Sequence, residues 1–168
     1  MGVILAAANS QAIVKATLKG SADGKFLLKR LDRPSEFVRF DQLCEGSTPC
    51  PQVLNFMASD CQACQVEMPI FLKIVKKYQD QKSLRVILIS TDGFSNQIQA
   101  GRYLKNIDHR ILQLGDPNGM AADFFGVTSI PRIFFRDRSG AFVGSISSVS
   151  EKFESQLKEQ LDKIVLSR

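Results

Sequence analysis

The chain has 168 residues, of which 44% are apolar and 23% charged, the make-up of a globular domain large enough to bury a core. No apolar stretch approaches the roughly 18 residues that a membrane span requires. The net charge is +5 and the basic residues are scattered. Their densest group, Lys25, Lys29, Arg30 and Arg33, has no interleaved aromatics, so it reads as a solvated hairpin face and excludes a nucleic-acid partner.

The predicted elements are short and alternate in kind. Residues 3–8 are apolar and end in Ala6-Ala7-Ala8. They suit either a first strand or the remnant of an export signal; the missing basic flank and the short run favour the strand. Residues 11–20 and 26–43 alternate weakly and carry turn signals at 20–24 and 32–35, as strands or hairpins do. Residues 44–51 form a Gly-, Ser-, Thr- and Pro-rich loop. Residues 53–57 are almost wholly apolar, the pattern of a strand buried on both faces. Ile70, Phe71, Ile74, Val75 and Tyr78 then make a helical stripe, with Pro69 expected to bend the helix early. Residues 86–89 predict another buried strand, 98–104 a second helix, 111–114 a strand and 119–125 a short helix. Residues 133–135 and 141–146 form a hairpin across Asp137-Arg138-Ser139-Gly140. A last helix is expected from Ser148, with Glu151 completing a capping box and Phe153, Leu157, Leu161, Ile164 and Val165 as its apolar stripe. Strands alternating with helices imply one α/β sandwich with a mixed sheet over residues 1–168. Its core covers about residues 25–165, and 1–24 form an N-terminal extension.

Chemistry concentrates at Cys61-Gln62-Ala63-Cys64, directly after the apolar strand and at the start of a helix. Unpaired N–H groups and the helix dipole favour a thiolate at the first cysteine, and the thiolate is what attacks a disulfide. Cys64, one turn on, can close an intramolecular bridge. A bare Cys-x-x-Cys is also half of a zinc site, but no second such pair exists. The other cysteines, Cys44 and Cys50, flank a short loop, and the one histidine, His109, reads as a surface residue. No metal site is therefore expected. Further along, Gly126-Val127-Thr128-Ser129-Ile130-Pro131 precedes an apolar strand, which makes Pro131 a candidate cis residue.

Together these residues resemble the thioredoxin fold, and within it the TlpA/ResA/CcmG-like family. The stretch Leu54-Asn55-Phe56-Met57-Ala58-Ser59-Asp60-Cys61-Gln62-Ala63-Cys64-Gln65-Val66-Glu67-Met68-Pro69 follows that family's pattern, as does the Gly126–Pro131 stretch. Residues 26–43 look like its N-terminal hairpin extension. The resemblance implies a three-layer sandwich with helices on both faces of the sheet. It implies Cys61 as the attacking thiol, Cys64 as the resolving thiol and Glu67 as a buried acid tuning both. Pro131 would lie beside the thiols, and the Ile130 backbone would pair with a substrate strand. No cofactor is implied beyond the redox-active disulfide. The implied partners are proteins with disulfides or thiols and an upstream thiol-disulfide donor. Family members are exported and often membrane-tethered, and reduce disulfides in apocytochromes c and other envelope proteins, so an extracytoplasmic location is expected.

The chain departs from the family at two positions. It has no Trp, and Met57 and Asp60 stand where the pattern has aromatics. Asp60 beside the nucleophile, Glu67 behind it, and a Gln62-Ala63 pair with no cation all disfavour the thiolate, which points to a reductant. Cys44 and Cys50 have no counterpart in the pattern. They read as a structural staple in preference to a second redox pair acting as a relay. The alternative function is a thioredoxin-fold copper metallochaperone, although its usual spacing is Cys-x-x-x-Cys with a distal His.

Overall fold

The structure is a computed structural model that describes residues 24–44, 50–81, 84–147 and 150–166. The strands and hairpins expected over 11–20 and at the N-terminus lie outside these residues. Seven strands form one sheet in the order β2-β1-β5-β4-β3-β6-β7. They are β1 (Leu27–Arg30), β2 (Phe37–Arg39), β3 (Gln52–Met57), β4 (Arg85–Ser90), β5 (Leu112–Gly115), β6 (Arg132–Arg136) and β7 (Phe142–Ile146). The helices are α1 (Gln62–Gln81), α2 (Gln97–Leu104), α3 (Met120–Phe125) and α4 (Phe153–Leu166). Strands β3, β4 and β5 run parallel, and β6, β7 and the β1–β2 hairpin add to them antiparallel.

The central strands are apolar on both faces because both faces are covered. Every residue of β3 is buried. Val53 and Met57 join Val86, Leu88, Ile133 and Phe135 under Phe71, Ile74 and Val75 of α1 and Phe153, Leu157 and Leu161 of α4. Leu54 and Phe56 face the other way, with Ile87, Ile89 and Phe134, toward Ala121 and Phe125 of α3. That second face is built from phenylalanine. Phe125 meets Phe40, Phe56, Phe124, Phe134 and Phe142 at ring-centroid distances of 4.9–5.3 Å. Edge-on and tilted pairs of this kind add to the energy of area burial.

One local expectation is corrected. Helix α4 begins at Phe153, later than the expected start; Ser148, the expected cap, lies outside the described residues. The Ser150 carbonyl accepts the Phe153 N–H at 2.9 Å in a preceding turn. A stripe that starts only at Phe153 leaves residues 150–152 with no apolar face to bury, and Glu151 and Lys152 are exposed. Pro69 lies inside α1, which spans 20 residues from Gln62 to Gln81. Its ring sits on the exposed side of the helix while Met68 and Phe71 stay packed in the core.

Candidate active site

Strand β3 delivers the chain to the site. It ends at Met57, and Ala58, Ser59 and Asp60 turn the backbone into α1. The Cys61 N–H donates to the Ala58 carbonyl at 3.3 Å, and the Cys61 carbonyl accepts the first helical bond, from Gln65 N–H, at 3.1 Å. Cys61 is thus the N-cap of a 20-residue helix with no acidic residue in its first turn. Its Sγ receives the Cys64 N–H at 3.1 Å, the place where a capping side-chain acceptor normally sits. A thiolate at Cys61 would meet that same N–H together with the positive end of the helix dipole.

The two sulfurs are bonded to each other across a Cα–Cα distance of 5.2 Å but differ in access. Cys61 is half-buried, whereas Cys64 is only 1% exposed. Only Cys61 can therefore meet an incoming sulfur. Gln62, Ala63 and Asp60 are exposed around it, so neither cation nor aromatic side chain stands immediately beside the motif.

Behind the cysteines lies a buried acid. Glu67 is one turn past Cys64 on the inward face of α1 and is 1% exposed. Its Oε1 accepts Asn55 Nδ2 at 2.6 Å, across from the middle of β3. Burial pushes the Glu67 carboxyl up from 4.5 to about 7, and the Asn55 hydrogen bond offsets only part of that. A carboxyl poised near neutrality can hold or release a proton at working pH.

The approach to Cys61 is held by a residue that sequence reasoning missed. Asp92 is buried, with Oδ2 accepting the Ser59 N–H at 2.9 Å and Oδ1 accepting the Ser59 hydroxyl at 2.6 Å. Ser90 Oγ donates to Asp92 Oδ2 at 2.6 Å, and Gln97 Nε2 donates to the Asp92 carbonyl. Gln65 Nε2 reaches back to the Ser59 carbonyl at 3.0 Å. The register pairs Met57 with Ser90, so the ends of two parallel strands lie side by side and their following loops meet. The available signal was Ser90-Thr91-Asp92, a polar tripeptide closing an apolar strand next to the one that carries the motif.

Pro131 arrives from the other neighbour of β3. The Ile130–Pro131 peptide bond is cis. Phe56 pairs with Arg132 in the antiparallel β3–β6 ladder. One residue further, Pro131 comes level with Met57, where β3 gives way to the Cys61 loop. Ile130, half-buried, packs against both cores. The preceding Gly126 closes α3 in the left-handed region at φ 62, a conformation that glycine takes without steric cost.

The remaining sequence candidates lie elsewhere. Cys44 and Cys50 form a second disulfide, Cα–Cα 5.8 Å, at the opposite end of β3. His109 is a surface side chain, 94% exposed. Among the described residues no three His, Cys, Asp or Glu side chains are placed to share a metal ion, and no helix is long and apolar enough to cross a membrane.

A parallel three-strand centre flanked by antiparallel strands, with a cis-proline level with the end of the strand that leads to a helix-capping cysteine, defines a protein of the thioredoxin fold. The MTB protein dsbF, solved in mixed oxidized and reduced forms, shares the fold at a TM-score of 0.68 and 21% identity, over 88% of this chain and 100% of that one. A secreted disulfide oxidoreductase of Mycobacterium tuberculosis, described as homologous to E. coli DsbE, matches at a TM-score of 0.64 and 16% identity over 83% of this chain and 96% of its own. The thiol-disulfide oxidoreductase ResA of Bacillus thuringiensis subsp. konkukian (strain 97-27) is 29% identical over 111 residues, 66% of this chain and 61% of the relative. The chain thus spans about three fifths of the length of the curated relatives it matches first. No family model matches it. The chain thus has the thioredoxin fold and is similar in sequence, over part of their length, to ResA-type thiol-disulfide oxidoreductases.

Proposed function

We propose that the protein is a thiol-disulfide oxidoreductase that reduces disulfides in exported proteins, among them the apocytochromes c handled during cytochrome c maturation. The observation that carries this reading is the asymmetry of the cysteine pair: an accessible Cys61 on the helix N-cap, and a buried Cys64 one turn from Glu67, a buried carboxyl poised near neutrality.

The mechanism follows from that layout. In the reduced protein the Cys61 thiolate, held by the Cys64 N–H, attacks one sulfur of the substrate disulfide. A mixed disulfide forms and the other substrate sulfur leaves as a thiolate, which takes up a proton. Cys64 then gives its proton to the Glu67 carboxylate and attacks Cys61 Sγ. The Cys61–Cys64 bridge closes, and the second substrate sulfur departs as a thiolate, which takes up the proton that Glu67 received. Two electrons and two protons have moved to the substrate, and an upstream protein dithiol restores Cys61 and Cys64. The backbone of Ile130, ahead of the cis-proline, offers an edge on which an extended substrate segment pairs.

Location belongs to the same proposal. The second disulfide, Cys44–Cys50, suits an oxidising compartment such as the periplasm or cell envelope. The mycobacterial neighbour described as secreted supports that placement. Direction is argued from charge: no cation faces Cys61 from Gln62 or Ala63, so the dithiol form is weakly stabilised and the protein donates electrons.

The test is insulin reduction with electrons supplied by dithiothreitol. The wild type should precipitate insulin chains and Cys61→Ser should lose all catalysis, while Cys64→Ala should retain clients as mixed disulfides. Full activity in Cys61→Ser would sink the assignment.

A further inference from the structure

Cys44 is better supplied with hydrogen-bond donors than Cys61. Its Sγ accepts the Cys50 backbone N–H at 3.1 Å and Gln52 Nε2 at 3.2 Å. Gln52 is itself buried and oriented from behind, since its Oε1 accepts Arg136 Nη1 at 3.1 Å. Arg136 is fixed in turn by the Gly140 carbonyl at 3.0 Å and by the Phe142 ring, 5.2 Å from its guanidinium carbon. A guanidinium thus polarises an amide that points its N–H at one sulfur, and linked hydrogen bonds of this kind strengthen one another. A pure staple has no use for this arrangement, because hydrogen bonds to a sulfur favour its charged form. Both cysteines are half-buried and so within reach of another protein.

We propose that Cys44–Cys50 is a second thiol-disulfide exchange site, in which a protein dithiol attacks Cys50 and Cys44 leaves as the stabilised thiolate. The incoming thiolate bonds to Cys50 Sγ, the Cys44–Cys50 bond breaks, and its electron pair stays on Cys44 between the Cys50 N–H and the Gln52 amide. The donor's second thiol loses its proton, attacks the mixed disulfide and leaves as a disulfide. Cys50 takes up a proton, and the pair has gained two electrons. A leaving thiol of lowered pKa departs faster, which sets the direction of attack. The electrons do not come from Cys61 and Cys64 of the same molecule. Strand β3, from Gln52 to Met57, separates the two pairs by roughly 17 Å at strand rise.

The experiment uses the full chain with Cys61→Ser/Cys64→Ser, so its result does not depend on the first site. Equilibrated with millimolar glutathione redox buffers and then alkylated, this variant should show Cys44 and Cys50 passing from disulfide to dithiol within the buffer range. A bridge that stays fully oxidised in reduced glutathione is a staple, and the proposal fails. In a triple variant that adds Cys50→Ser, the Cys44 thiol should titrate below the free-cysteine value of about 8.5, followed by the pH dependence of iodoacetamide alkylation. Gln52→Leu should raise that value and slow alkylation at neutral pH by about tenfold, since one pH unit is a factor of ten in thiolate. An ordinary thiol pKa that is indifferent to Gln52→Leu would overturn the assignment even if the bridge proved reducible.

Discussion

Replacing Glu67 with Gln separates the cost of burying an acid from the packing around it. Glutamine keeps an oxygen to accept Asn55 Nδ2 and nearly the same volume, but it never ionises. In the folded protein the carboxyl is held up at about 7 from its ordinary 4.5, chiefly because burial disfavours the anion. Below pH 4.5 the acid is protonated in both the folded and unfolded chains and costs nothing. Between 4.5 and 7 the unfolded chain releases the proton and the folded one keeps it, so stability falls as pH rises. At about 1.4 kcal/mol per pH unit the loss reaches about 3 kcal/mol by pH 8, where it levels off. Urea unfolding of the fully oxidised protein, followed by far-ultraviolet circular dichroism from pH 4.5 to 8, measures this. The wild type should lose about 3 kcal/mol relative to Glu67→Gln over that span. At pH 8 the variant should be the more stable protein. Asp116, whose pKa is also raised by burial, gives a similar slope but is common to both proteins and cancels in the difference. Parallel pH profiles, or a variant weaker than the wild type at pH 8, would refute the account of Glu67 as a buried, late-ionising acid. The same substitution removes the proton acceptor for Cys64, so the mixed disulfide should persist and turnover should drop about 10²-fold.

Asp92→Ala strands the Ser59 N–H, the Ser59 hydroxyl and the Ser90 hydroxyl in the interior, at about 1–3 kcal/mol per buried donor. Urea midpoints should register a loss of about 3–4 kcal/mol, and a loss under about 1 kcal/mol would mean the loop is held otherwise. Phe125→Ala empties the centre of the phenylalanine face and should cost about 3–5 kcal/mol by the same measurement. Cys44→Ser/Cys50→Ser removes a small closed loop, worth roughly 2–3 kcal/mol at most. Its melting point should fall while insulin reduction through Cys61 continues, and loss of that activity would tie the two pairs together. The Cys61–Cys64 potential should lie nearer roughly −270 mV than −120 mV, which equilibration against glutathione will check; a dithiol stable in mildly oxidising buffer would contradict it.

What could be read from the chain and what could not divide by distance along it. The β3 and β4 strands, the α1 stripe and the helix-start cysteine each rest on neighbours a few residues apart, where period and capping chemistry act. Glu67 came from a motif, but its partner Asn55 faces α1 only because residues alternate along β3, with Val53 and Met57 on the same side. Asp92 lies 33 residues from Ser59, and the two meet because β3 and β4 are parallel and end level. No local pattern around Asp92 carries that register. The α4 boundary failed for the opposite reason: Ser148 and Glu151 fit a local capping rule, but the apolar stripe that the sheet buries begins only at Phe153. Strand direction also decides what the four cysteines can do. In sequence Cys50 and Cys61 stand close enough to suggest a relay, yet the chain between them runs the length of a buried strand and delivers the pairs to opposite ends of the sheet. Electrons reaching both must therefore arrive by two separate encounters, each governed by the donors around its own sulfur: the Cys64 N–H at one end, and the Cys50 N–H with the Gln52 amide at the other.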